Sequence, residues 1–325
     1  MKAFFCRAYG GPEVLELCEV PVPQPKDDEI LVRIVATTVN SADVRVRGAR
    51  FPRGLGMIGR VVLGISRPRQ PVLGTELAGV VAAVGSNVSR FRIGDEVLAF
   101  PGVKLGCHAE FRTLQENQRV FLKPENLSFA EASSISFGGT TALHFLRKAE
   151  LRAGEKILVI GASGAVGSAI VQIANHLGAE VTAVSSAGNA ALVRSLGAAK
   201  MIDYRSEDFL ARGETYDVIA ETVGTTAFRR ARHLLKKNGR FLAIAAGIPD
   251  MLAMIWSSTL YGKRVIAGPA EESEEAVRQI AEWAKAGILK PVIDHTYRFD
   301  QIPEAHAYVD TGRKKGSVVI LVKPA

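Results

Sequence analysis

The chain has 325 residues, 47% hydrophobic and 23% charged, which is enough for about two packed domains. Its formal net charge is +8, and its three cysteines, Cys6, Cys18 and Cys107, are too few and too scattered for a disulfide framework. No run approaches the ~20 apolar residues of a membrane span, and "MKAFFCRAYGG" is too short for a signal-peptide core, so a reducing, cytoplasmic setting is expected.

Residues 1 to about 120 read as short strands broken by turns. "KAFFCRAYGGPEVLELCEV" reads as two strands around Gly10-Gly11-Pro12, and "EILVRIVATTVN" and "ELAGVVAAVG" as β-branched strands. "SRFRIGDEVLAF" reads as two strands about a Gly-Asp turn, so this first part is expected to be all β. Between Asp43 and Glu76 there is no acidic residue, while Arg45, Arg47, Arg50, Arg53, Arg60, Arg67 and Arg69 fall inside the gap. Such a segment is either a solvated basic loop or a surface for an anion: a cofactor phosphate, an acidic substrate or an anionic membrane face. Nucleic acid is disfavoured, because Phe51 is the one aromatic residue among these arginines and no nucleic-acid-binding motif is present.

Beyond Pro124 the pattern changes. "SFAEASSISFGGTTALHFLRKAEL" has helical spacing. "KILVI", "EVTAVS", "KMIDY", "DVIAETV", "RFLAIAAG" and "KRVIAG" read as strands. Between them, "VGSAIVQIANHLG", "AALVRSLG" and "AFRRARHLLKKNG" read as helices stopped by glycines. Alternating β and α implies a doubly wound parallel sheet, a Rossmann unit in an α/β protein. An amphipathic helix "EESEEAVRQIAEWAKAGIL", a strand "PVIDHTYRF", a short helix through "IPEAHAYVD" and a last strand "SVVILV" close the chain.

The turn "VIGASGAVGS" sits between a buried strand and a helix. Ala162, Gly164 and Gly167 fill the three positions of G-x-G-x-x-G, and with Ser163, Ala165 and Val166 they make a phosphate-binding turn at a helix N-terminus. A P-loop is excluded because no lysine follows the glycines. A short-chain dehydrogenase is disfavoured, since no tyrosine is followed by lysine four residues on. At the end of the second strand, where an NAD site places Asp or Glu, stand Ser185 and Ser186. Arg194 lies one helical segment on, so NADPH is favoured over NADH.

The layout and the motifs "VNSADVRVRG", "PVLGTELAGVVAAVGSNVSRFRIGDEVLAF", "GCHAEF", "FGGTTAL", "SLGAAKMIDY" and "GSVVILV" resemble the medium-chain dehydrogenase/reductase superfamily over essentially the whole chain. Within it they are most similar to the zinc-free, quinone-oxidoreductase-like branch. That resemblance implies a β-rich GroES-like catalytic domain from residues 1–122 and 271–325, and a Rossmann domain from 123–270. It implies Asn40 and Thr141 near the nicotinamide, Val223, Ile244, Ala245 and Ala246 along its ribose and carboxamide side, and Tyr204 near the adenosine ribose phosphate. Asn40 can equally hold a turn, and Thr141 can cap the helix that follows it.

Zinc-dependent relatives carry a cysteine in the stretch where this chain has Asn40 to Asp43, and a histidine where Gly74-Thr75-Glu76 has threonine. Cys107-His108 lacks partners at ligand spacing, so no metal is expected. Three departures stand out. Arg45 occupies the place of a tyrosine found in many relatives, Gly188 and Asn189 stand where NADPH-binding relatives often have a cation, and Gly316-Ser317 replaces a terminal Gly-Lys. The reading is a zinc-independent reductase of quinones or α,β-unsaturated carbonyls, with no general acid assigned. An enoyl-thioester reductase on the same scaffold is one alternative. A non-catalytic nucleotide-binding protein that docks on RNA, a membrane or a partner is the other. A homodimer through the edge strand "KRVIAG" and the apolar "MLAMIW" is expected, and peripheral membrane contact stays open.

Overall fold

The computed structural model describes residues 1–51 and 54–322, so Arg53 of the basic segment lies outside the described residues. In chain order the first elements are β1 (Lys2–Cys6), β2 (Leu15–Glu19), β3 (Glu29–Val39), α1 (Ser41–Arg47), α2 (Gly56–Leu63), β4 (Leu77–Val84), β5 (Glu96–Ala99), β6 (Phe111–Gln115) and β7 (Val120–Leu122). Next come α3 (Phe129–Ala132), α4 (Ser136–Ala149), β8 (Lys156–Ile160), α5 (Ala165–His176), β9 (Glu180–Ser185), α6 (Ala190–Ser195) and β10 (Lys200–Asp203). They are followed by β11 (Tyr216–Glu221), α7 (Phe228–Ala231), β12 (Leu235–Ala243), α8 (Ile248–Tyr261) and β13 (Arg264–Ala267). The tail holds α9 (Glu274–Lys285), β14 (Ile293–Arg298), α10 (Ile302–Asp310) and β15 (Ser317–Leu321).

Strands β8 to β13 form one parallel sheet in the order β10-β9-β8-β11-β12-β13, the doubly wound arrangement. Its strands are buried on both faces. Ile157 and Val159 of β8 face a core shared with α4, α5 and α9, while Leu158 and Ile160 face a core shared with α7 and α8. A second, largely antiparallel sheet runs β14-β15-β3-β4-β5-β7, with β6 also pairing β3. Its core joins Ile30, Val32 and Ile34 to Ile302 and Ala305 of α10. Thus the chain's tail returns to its first sheet through β14 and β15. Among the described residues no helix is long and apolar enough to cross a membrane.

The first part is not all β. Asn40 starts α1 by a capping box: its side chain accepts from Ala42 and Asp43 N–H, and the Asp43 carboxylate accepts from Asn40 N–H. The alternating Val44 and Val46 mimic a strand, but the cap decides for helix. "SRFRIGDEVLAF" holds the single strand β5. "AFRRARHLLKKNG" is helical only to about Leu234; Asn238 takes a φ of 62° and β12 has already begun.

Beneath α1 lies a buried polar cluster. Arg47, fully buried, pairs with Asp310 of α10 and donates to the Gly10 carbonyl at 3.3 Å. His108 and His306 are fully buried, their rings 5.4 Å apart. Neither ring nitrogen of His306 has a hydrogen-bond partner among the described residues, and burial holds its pKa well below 6.5. The folded protein therefore resists a proton that the unfolded chain accepts below about pH 6.5. The contribution of neutral His306 is fully present above that pH and is lost as pH falls. Urea unfolding of wild type and His306→Leu from pH 8 to 5 should give a stability difference that moves against wild type below pH ~6.5, by at most about 1.4 kcal/mol per pH unit. A difference that stays flat across this range removes His306 as the cause.

Candidate active site

The glycine turn joins the carboxyl end of β8 to α5, where the open sheet of an α/β fold binds ligands. The first intrahelical bond of α5 runs from Ser168 N–H to the Gly164 carbonyl at 2.8 Å, so the amides of Ala165, Val166 and Gly167 point ahead of the helix. A Cβ on Gly167 would lie 2.1 Å from the Gly161 carbonyl oxygen, so only glycine lets this helix pack on its turn. A Cβ on Gly164 would meet nothing nearer than 3.6 Å, leaving the backbone open to a ligand. Ala162 is buried. These features fit a pyrophosphate.

The carboxyl ends of β9, β10, β11 and β12 lie on the same side of this sheet. Asn189 donates to Ser163 Oγ at 2.9 Å and to Ser186 Oγ at 3.3 Å, tying the end of β9 to the turn. Ser185 is buried, and its carbonyl accepts from Tyr204 N–H at 3.3 Å. Tyr204 is exposed, with the Arg205 guanidinium 5.9 Å from its ring centre. Arg194 is exposed on α6 and has no hydrogen bond to either serine. At the end of β11 the buried Glu221 carboxylate accepts from Val223, Gly224 and Thr225 N–H at 3.3, 2.7 and 3.2 Å. Burial raises its pKa against these bonds. Val223 is half exposed beside Gly161. Ile244 N–H donates to the Glu221 carbonyl at 3.0 Å, and Ala245 and Ala246 follow it.

The other wall comes from the first sheet. Glu76 is fully buried; it accepts from Thr38 Oγ and from Phe137 N–H, both at 2.7 Å. Burial pushes its pKa up to about 7. Thr141 does not cap α4. It lies inside that helix and donates back to the Phe137 carbonyl at 2.7 Å. Arg45, half-buried on α1, is desolvated enough to lower its pKa, and the Glu221 carboxylate opposes that shift. Arg45 on α1 and Glu221 at the end of β11 are thus near enough to act on each other electrostatically. Lys314 donates to the Gly316 carbonyl at 2.5 Å, and burial brings its pKa down to about 8 against the pull of Glu76. Gly316 N–H donates to the Ser163 carbonyl at 2.7 Å, so the tail clasps the glycine turn.

Sequence reasoning did not single out Glu221 or Arg205, and marked Lys314 only as one of three cations before Gly316. Their signals were present: a carboxylate ending the apolar strand "DVIAE", a cation after Asp203, and a lysine two residues before Gly316.

Zinc takes about four N, S or O donors. Here the Asn40 amide donates to Thr75 Oγ at 2.6 Å, and its oxygen is spent on the α1 cap. The two side chains satisfy each other. Cys107 is buried and its thiol is pushed up to about 12, so no thiolate is on offer, and His108 Nε2 bonds the Thr38 carbonyl at 3.0 Å. No group of three His, Cys, Asp or Glu able to hold a metal occurs among the described residues. The donor set does not fit zinc.

The two glycines separate in their consequences. Gly167→Ala should cost about 1–3 kcal/mol of stability through overpacking. Gly164→Ala should leave the unfolding midpoint nearly unchanged while weakening nucleotide binding, read by fluorescence titration. A Gly164→Ala protein that binds as wild type would remove the turn from the site.

Residues 26–146 match the family model described as alcohol dehydrogenase GroES-like domain, and residues 196–320 match that described as zinc-binding dehydrogenase. The chain is 34% identical to the 2-methylene-furan-3-one reductase of Solanum lycopersicum, over 98% of this chain and 79% of that protein. It is 30% identical to the chloroplastic NADPH-dependent alkenal/one oxidoreductase of Arabidopsis thaliana, over 100% of this chain and 80% of that protein. The quinone oxidoreductase from Coxiella burnetii superposes with a TM-score of 0.85 and 26% identity, covering 99% of each chain. With a glycine turn at the switch point of a parallel sheet and a returning tail, the chain belongs to the medium-chain dehydrogenase/reductase superfamily, in its quinone-oxidoreductase-like branch.

Proposed function

We propose that this NAD(P)H-dependent oxidoreductase passes hydride from NADPH, in preference to NADH, to a quinone or an α,β-unsaturated carbonyl, without zinc. The observation that carries the reading is Arg45: a half-buried cation that feels the charge of Glu221 at the end of β11, on the helix capped by Asn40, whose amide is committed to Thr75. NADPH, when bound, supplies the hydride. The backbone of Ala162, Ser163 and Gly164 and the amides of Ala165, Val166 and Gly167 hold its pyrophosphate. Ser185, Ser186, Tyr204 and Arg205, with Arg194 beyond, receive the 2′-phosphate, and Val223, Ile244, Ala245 and Ala246 line the nicotinamide side. Asn40 and Thr141 wall the acceptor. Arg45 holds the acceptor oxygen on which negative charge grows; a guanidinium stays charged, so it stabilises that oxygen without protonating it.

The lobes of this enzyme are residues 1–122 with 271–325, and 123–270, with α9 packed on the second. The edge strand β13 and the exposed Leu252, Ile255 and Leu260 of α8 serve a homodimer. Three free cysteines suit a reducing compartment.

The test mixes chelator-treated protein with NADPH or NADH and 1,4-benzoquinone, 9,10-phenanthrenequinone, a short enone or crotonyl-CoA, and follows the nicotinamide absorbance. Oxidation of NADPH over NADH with a quinone or enone is expected. Binding of NADPH without oxidation by any acceptor would reject the reading, and turnover with crotonyl-CoA alone would favour the thioester. Arg45→Gln should lower acceptor kcat/KM on the order of a hundredfold while leaving the NADPH dissociation constant unchanged. An unchanged kcat/KM would place Arg45 outside the chemistry.

A further inference from the structure

Helix α2 buries none of its own residues. Met57, Ile58, Val61, Val62 and, just beyond it, Ile65 are 58% to 81% exposed and recur as one stripe along a helix. The opposite side is fastened. A Cβ on Gly59 would lie 2.6 Å from the Phe51 ring, Tyr9 Oη donates to the Gly64 carbonyl at 2.6 Å, and Arg69 N–H donates to the Leu63 carbonyl at 2.7 Å. The apolar stripe is therefore held outward.

The charges around it have one sign. No carboxylate occurs in residues 44–75. Among the described residues the ion pairs from this segment are those of Arg47 and Arg50 with Asp310. Arg60, Arg67 and Arg69 are exposed and carry none; Arg60 stacks on Tyr9 at 5.5 Å. Three cations without an ion pair among the described residues, beside five exposed aliphatic or thioether side chains, make a short helix suited to lie in an anionic lipid interface. A second copy of the chain is a poor complement, since α2 against α2 would set arginine against arginine. RNA would leave the apolar stripe unused and finds only Phe51 to stack on. The element also stands at the cleft: Gly54 abuts the side chain of Ile248, two residues after Ala246.

We propose that α2 and the arginines around it dock the protein on an anionic bilayer, with the cleft beside the surface, and that its acceptor is a lipid-dissolved quinone with a long apolar tail. The second clause rests on the function proposed above; the docking does not.

The experiment floats the full chain with vesicles of phosphatidylcholine alone or of phosphatidylcholine with phosphatidylglycerol, at low and high salt. Binding to the anionic vesicles is expected, falling roughly tenfold or more on neutral vesicles, at high salt, in the double variant Ile58→Asp with Val62→Asp, and in the triple variant Arg60→Gln, Arg67→Gln and Arg69→Gln. Both variants should keep the wild-type unfolding midpoint and the rate with water-soluble 1,4-benzoquinone, and lose rate only with a long-tailed quinone held in the vesicles. Absent flotation, equal flotation on neutral lipid, or a dimer that dissociates in the Asp variant would overturn the docking. Flotation is read without any acceptor. Protein that floats but never oxidises NADPH therefore rejects the proposed function and leaves the docking intact.

Discussion

The cleft depends on one buried carboxylate. Glu76 lies just before β4, 1% exposed, where an unpaired charge would cost several kcal/mol. Each of its oxygens has a donor: Thr38 from β3 and the backbone of Phe137 in the first turn of α4. Meeting that need stitches the antiparallel sheet to the first long helix of the parallel one. The preceding residue, Thr75, holds Asn40. Two further bonds close the same seam: Ser317 Oγ to the Ser134 carbonyl at 3.2 Å, and Gly316 N–H to the Ser163 carbonyl. The wall facing the glycine turn is thus positioned by groups that cannot move without exposing an unsatisfied polar atom to the interior.

Electrostatics on the opposite wall follows the same logic. Glu221 is buried, but three backbone amides already occupy it. It can pull on Arg45 through space without consuming the guanidinium's donors. In the proposed function, a partly desolvated cation whose N–H groups have no hydrogen-bond partner among the described residues is available to an anionic or strongly polarised oxygen. A tyrosine at that position would offer one neutral donor; the guanidinium offers five in a fixed fork.

Much of this was legible in the sequence. The strand–turn–helix around Gly164 and Gly167, the six parallel strands and the returning tail follow from period and glycine placement. The helices α1 and α2 did not: the alternating Val44 and Val46 of α1 also fit a strand, and the helical spacing of Met57, Ile58, Val61 and Val62 in α2 covers barely two turns. Glu221 and Arg205 were not singled out, and Lys314 only as one of three cations before Gly316, for another reason. For Lys314 the partner, the carboxylate of Glu76, lies far away in the chain, while Glu221 and Arg205 owe their surroundings to local backbone turns, the amides of residues 223–225 and the Tyr204 ring. Charge type alone carries none of that. Asn40 was left between turn and site, and the structure gives its oxygen to the turn.

That assignment connects two features that look separate in the sequence. A helix cap and a metal ligand compete for one side chain at position 40. Asparagine is among the strongest N-caps, and spending its oxygen on Ala42 and Asp43 takes it from any metal. The same cap fixes where α1 begins and hence which way its residues project. Arg45 lies five positions on, and its reach toward Glu221 is set by that start. With the cap in place, the Asn40 oxygen and amide are committed to α1 and to Thr75, and Arg45 projects from the same helix. In the function proposed above, charge on the acceptor oxygen would be met by this cation on a capped helix, an arrangement suited to acceptors electrophilic enough to take hydride without metal activation.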